Sequence, residues 1–138
     1  MQGDGGQPRV VVASAAEVAS VRAAPGGEGV WLLSMPGAAG FLGASGFAAV
    51  LREGGAPLSQ GVLDAGAAPG FAVAGLRAGF GAVVLDPGCA AFPALAAEAA
   101  RRGVALWPAR GEAVLAARWL RLSRAPAASP SCKPAGPS

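Results

Sequence analysis

Short apolar runs that end on a polar or aromatic turn residue recur along the chain: Val62-Leu63-Asp64, Val84-Leu85-Asp86 and Ala105-Leu106-Trp107, at intervals of 22 and 21 residues. Between them the pattern changes to small residues at helical spacing. A strand-length apolar run that hands over to helical periodicity at such an interval marks a βα unit of a parallel sheet. The same reading extends to both sides. Arg9 to Ala13 predicts a first strand, and Ser14 with Glu17 in the capping-box spacing opens a helix to about Ala24. Val30 to Leu33 is a second strand, followed by the glycine-rich Met35–Ser45 and a helix from about Gly46 to Glu53. After Gly54-Gly55-Ala56-Pro57 come a strand near Gln60 to Leu63 and a helix near Pro69 to Ala78. Ala82 to Leu85 is strand four, with a helix from about Cys89 to Arg102 that stops at Gly103. Val104 to Trp107 is strand five, with a last helix over about Gly111 to Ser123.

Five successive βα units predict an α/β fold in a single domain over residues 9–124, built as an open parallel sheet of the flavodoxin-like kind with helices on both faces. Half of a βα-barrel is the alternative. Residues 1–8 and the Pro/Ser/Ala-rich 125–138 read as disordered ends. The phrase from Ala74 to Asp86, AGLRAGFGAVVLD, resembles the alanine-glycine helix and following strand of βα-barrel aldolases and synthases. A complete barrel needs about 200 residues or more, so the resemblance implies a half-barrel at most. Aldolases of the Schiff-base type place a lysine on a barrel strand, whereas the only lysine here, Lys133, lies in the tail. The chemistry that the resemblance would bring is therefore missing.

A chain of 138 residues, 53% of them hydrophobic, is large enough to bury a core without metals or disulfides. Much of that fraction is alanine, so the core must rest on Val, Leu, Phe and Trp. The net charge of +3 is unevenly placed, with six arginines between Arg101 and Arg124 against Glu112 alone. Cys89 and Cys132 do not resemble a disulfide framework. The first residues lack the basic and apolar regions of a signal peptide, so a cytoplasmic location is expected. Gly29 to Leu51 carries no charge over 23 residues, but Pro36 and the glycines at 37, 40, 43 and 46 interrupt it. A strand, a glycine loop and a buried helix fit that stretch better than a membrane span.

In a parallel sheet the C-terminal ends of the strands share one edge, where open α/β folds bind ligands. Ser14, Ser34, Asp64, Asp86 and Arg110 fall there. Asp64 and Asp86 occupy equivalent places in successive units and are the candidate catalytic residues, able to hold Mg²⁺ or share a proton if they approach each other. The competing reading is that each closes its own glycine turn, Asp64-Ala-Gly and Asp86-Pro-Gly. A glycine loop contributes Gly37, Gly40, Gly43, Ser45 and Gly46, whose backbone amides before a helix are candidates for holding phosphate or another anion. Their spacing matches neither the dinucleotide fingerprint nor the P-loop. Cys89 at a helix start has no histidine to activate it, since the chain has none, and it also has no tyrosine. The last helix carries Leu115, Trp119 and Leu122 on one stripe, flanked by Arg118, Arg121 and Arg124.

These features favour a binding or interaction module for a small anionic or phosphorylated ligand, or for a protein partner. A small metal-dependent enzyme acting on phosphorylated metabolites, and a half-barrel subunit that oligomerises, are the alternatives. No cofactor is called for beyond Mg²⁺ at the two aspartates. Nucleic-acid and membrane partners are not expected.

Overall fold

The computed structural model describes residues 6–40 and 42–124. The readings of residues 1–5 and 125–138, Cys132 and Lys133 included, fall outside the described residues. Six strands form one parallel sheet: β1 (Arg9–Val11), β2 (Trp31–Leu33), β3 (Gly61–Asp64), β4 (Ala82–Val84), β5 (Ala105–Trp107) and β6 (Ala113–Leu115). Five helices accompany them: α1 (Ala15–Ala23), α2 (Gly43–Glu53), α3 (Pro69–Ala78), α4 (Phe92–Arg102) and α5 (Ala116–Arg124). Local chemistry explains several boundaries. Ser14 Oγ accepts from Glu17 N at 3.2 Å, so the expected cap starts α1, while the return bond of the capping box falls one residue early, Glu17 Oε1 accepting from Ala13 N at 2.8 Å. Gly79 and Gly103 end α3 and α4 in the left-handed region, at φ of 100° and 72°.

The α/β class and the open parallel sheet are as expected, and the strand order is β5-β4-β3-β2-β1-β6. From β1 to β5 every unit lies beside its predecessor, the sequential order of the half-barrel alternative, and β6 then returns to the free side of β1, which leaves β1 an interior strand as in a flavodoxin-like sheet. Successive right-handed crossovers that all step in one direction put all their helices on one side. The helices accordingly pack in a row, α5 on α1, α1 on α2, α2 on α3 and α3 on α4, so the expectation of helices on both faces gives way to one covered face.

Two corrections concern the C-terminal part. Strand β6 departs from the expected pattern: Ala113-Val114-Leu115 pairs with Arg9-Val10-Val11 where the sequence predicts helix. Helix α5 therefore begins at Ala116, and its core contacts come from Ala116, Trp119 and Leu120, while Leu115 and Leu122 are exposed. The expected Leu115–Trp119–Leu122 stripe does not exist as one helical face.

Topology also forces curvature. Strands β5 and β6 stand at opposite ends of the sheet, yet only residues 108–112 join them. In a flat sheet they would lie about 24 Å apart, whereas the chain from Trp107 to Ala113 spans at most about 22 Å fully extended. Pro108 and the left-handed Gly111 (φ 71°) shorten it further. The sheet must curl, and side chains fill the concavity. Val11, Leu33, Val62, Ala82, Val84 and Trp107, all from strands, form the inner cluster, with Trp31, Ala105 and Ala113 packed against it. Trp31 on β2 and Trp107 on β5 stand edge to face with centroids 5.3 Å apart, although their strands would be about 14 Å apart in a flat sheet.

On the convex side, Val10, Val12, Leu32 and Leu63 of the sheet meet Val18, Val21, Phe47 and Leu51 of α1 and α2. Phe47 stacks on Phe80 at 5.8 Å. At the N-terminal edge of the sheet, buried Gln60 donates to Gly27 O and Val30 O at 2.9 and 3.0 Å and accepts from Arg22, so both ends of its amide are bonded.

Candidate functional site

At the C-terminal edge the last residue of β3 is the centre of a polar cluster. Asp64 is 3% exposed. Its backbone N–H donates to Ser34 Oγ at 2.9 Å, which ties the ends of β2 and β3 together. Its Oδ1 accepts from Gly66 N at 2.8 Å, an Asx turn that Gly66 completes at φ 61°. Its Oδ2 accepts from Arg110 Nη1 at 2.6 Å, and the same Nη1 donates to Ser34 O at 3.0 Å. A buried carboxylate persists only when its charge and lone pairs are answered. Arg110 and the Gly66 amide answer them here.

Arg110 reaches the cluster because the 108–112 link passes over the concave side. Arg9 holds that link down. Its guanidinium lies 3.8 Å from the Trp107 ring centroid and donates to the carbonyls of Ala109, at 3.4 Å, and Arg110. The left-handed φ of Gly111 favours glycine, and a Cβ there would push the end of the Arg9 side chain aside.

The Arg110 side chain is 24% exposed. A guanidinium carries five N–H donors, and both of its described bonds leave from Nη1. No described bond leaves from Nε or Nη2.

The other expected residues fall nearby in different roles. Asp86 follows the end of β4, next to β3, but its Oδ1 accepts from Gly88 N at 2.9 Å, within its own turn. Asp86 N donates to Gly66 O at 2.8 Å, so backbone joins the two aspartate turns while each carboxylate bonds elsewhere. Among the described residues no group of three or more His, Cys, Asp and Glu side chains could hold a metal ion. A Mg²⁺ at Asp64 would have to share the carboxylate with Arg110 and the Gly66 amide.

In the glycine loop, the amides of Ala38, Gly40 and Leu42 donate to Met35 O, Gly37 O and Ala38 O, and are spent within the loop. Helix α2 starts at Gly43 instead of Gly46, so Gly43, Ser45 and Gly46 lie in its first turns, and Gly37 is a turn residue at φ 67°. Cys89 lies in the turn before α4, with Sγ 3.2 Å from Ala67 O, because the helix starts at Phe92. Sequence pattern puts Arg110 at this edge but carries no sign of its pairing, and no sign of the part played by Arg9. Ser14 is the cap of α1.

Compared with models of protein families, with curated proteins and with solved structures, the chain matches none. No helix among the described residues is long and apolar enough to cross a membrane.

Proposed function

We propose that the chain is a binding module that takes a small anionic ligand at the C-terminal edge of its sheet, with Arg110 as the anchoring group. The observation that carries this reading is the partly exposed guanidinium held by buried Asp64 and Ser34 O, with its Nε and Nη2 donors left over. Fixing one nitrogen of the fork removes much of the side-chain entropy that an exposed arginine loses on binding. The remaining pair of donors matches the spacing of carboxylate and phosphate oxygens.

A binding role also suits a chain without histidine or tyrosine, at a site whose buried carboxylate Asp64 is already paired. An enzyme acting on phosphorylated metabolites through Mg²⁺ would need the metal to share the Asp64 carboxylate with Arg110 and the Gly66 amide.

The test is calorimetric titration of inorganic phosphate and of acetate at low ionic strength into wild type, Arg110→Lys and Arg110→Gln. Wild type is expected to bind saturably. Lysine keeps the charge and loses the fork, so it should weaken binding, and glutamine should abolish it. Circular dichroism shows whether each variant is folded. Binding unchanged in folded Arg110→Gln, or no binding by wild type, overturns the proposal.

A further inference from the structure

The ligand's remaining chemistry can be read from the rim around Arg110. Among the described residues the exposed large apolar side chains are Met35, Leu42, Phe71, Leu115 and Leu122. The first four lie at the ends of elements that reach the C-terminal edge of the sheet. Met35 follows Ser34, whose carbonyl holds Arg110. Leu42 immediately precedes α2, and Phe71 lies in the first turn of α3, after the Asp64 turn. The Phe71 ring stands near the glycine loop, since a Cβ at Gly40 would lie 4.0 Å from Phe71 Cε2. Leu115 ends β6 in register with Val11. Single exposed apolar residues are ordinary on any protein surface, but several on the sheet edge that also carries Arg110 form a feature of another kind.

We infer that the ligand is an amphipathic organic acid, with a carboxylate on the Arg110 fork and an aliphatic or aromatic body over Met35, Leu42 and Phe71. This rests on the anion-binding reading above and adds the ligand's class. The guanidinium selects the occupant: an apolar patch alone would accept any greasy surface, whereas a patch on the same edge as the unspent Nε and Nη2 donors favours a molecule that brings an oxyanion and a hydrocarbon together. Inorganic phosphate and short acids satisfy the donors but leave the apolar rim in water.

The experiment is a titration of acetate, butyrate, hexanoate and octanoate, with octanol as the uncharged control, into wild type and the surface variants Phe71→Ser and Met35→Ser/Phe71→Ser. Affinity should rise about two- to fourfold per methylene in wild type, as expected for partial to full burial of each group. Octanol should bind far more weakly than octanoate. The serine variants should flatten the chain-length series while leaving phosphate binding unchanged. If phosphate binds through Arg110 but acids of every length bind alike, the inference fails and the anion site stands. If octanol equals octanoate, the inference fails because the guanidinium does not select the ligand. If no anion binds, the anion site fails and takes the inference with it.

Discussion

Asp64 joins three elements through single atoms, because its amide, Oδ1 and Oδ2 bond to the ends of β2, its own turn and the β5–β6 link respectively. Removing the carboxylate would leave Arg110 without its counter-charge and Gly66 N–H without an acceptor. Breaking a buried ion pair costs about 3–5 kcal/mol, and partial solvation of Arg110 brings Asp64→Ala to about 2–3 kcal/mol. Urea unfolding should show that loss, with Asp64→Asn less costly because its amide oxygen still accepts from Gly66; a loss in Asp64→Ala below about 1 kcal/mol would contradict the assigned role. Glu98 behaves differently. Its carboxylate is held below the ordinary glutamate range by hydrogen bonds from Arg101 and then Arg102, on the exposed side of α4. A lowered folded pKa means that this contribution to stability is fully present above the ordinary glutamate value and is lost as pH falls through the lowered one. The acid limb of the stability curve should therefore be shallower in Glu98→Gln, and the difference should shrink in high salt. Half of the Asp64 arrangement was legible in the sequence, since Asp-x-Gly after an apolar run reads as a turn. The ion pair was not legible: Arg110 is 46 residues away, and only the curvature of the sheet brings it over β3.

The helices are thin because the sequence makes them so, and α3 shows the consequence for packing. A Cβ on Gly75 would lie 2.9 Å from Leu63 Cδ2 and 3.0 Å from Val83 Cγ2, so this helix rests directly on β3 and β4. Gly70, in the first turn of the same helix, is open: a Cβ there would have nothing within 4 Å. The two glycines should respond oppositely to alanine. Alanine at either position gains up to about 1 kcal/mol of helix propensity, but at Gly75 overpacking costs about 1–3 kcal/mol. Gly70→Ala should raise the melting temperature and Gly75→Ala should lower it; equal shifts would mean that α3 does not sit so close to the sheet. Elements of this kind announce themselves in sequence because an apolar run, a turn residue and small residues at helical spacing are all local. Strand β6 did not, because Glu112-Ala-Val-Leu-Ala-Ala suits a helix as well as a strand. Pairing with the open side of β1 decides between them, and that is a tertiary effect. Once Ala113–Leu115 become strand, the phase of α5 shifts, and Leu120 takes the inward place that Leu122 would have held.

Strand order is a property of the whole molecule, and the βα pattern allowed more than one. Each unit specifies a strand and a helix but not the side on which the next strand is added. The order that formed places β5 and β6 at opposite ends of the sheet while a five-residue link joins them, and the sheet resolves this by curling. Arg9 secures the seam from β1, with its guanidinium against Trp107 and on the carbonyls of the link. The site thus depends on curvature, because Arg110 can stand over Asp64 only if the link crosses the concave side. The tryptophans report this directly. Indoles 5.3 Å apart and perpendicular are close enough for their transitions to couple, whereas a flat sheet would hold their strands about 14 Å apart. The far-ultraviolet circular dichroism of the wild type should contain an exciton couplet that disappears in Trp31→Phe and in Trp107→Phe but survives in Trp119→Phe. Phenylalanine keeps an aromatic ring in the cavity, so both inner variants should stay folded and the loss of the couplet can be read as geometry. A spectrum unchanged by either inner substitution would mean a flat sheet, and in that case the Arg110–Asp64 pair, and the ligand edge built on it, could not form.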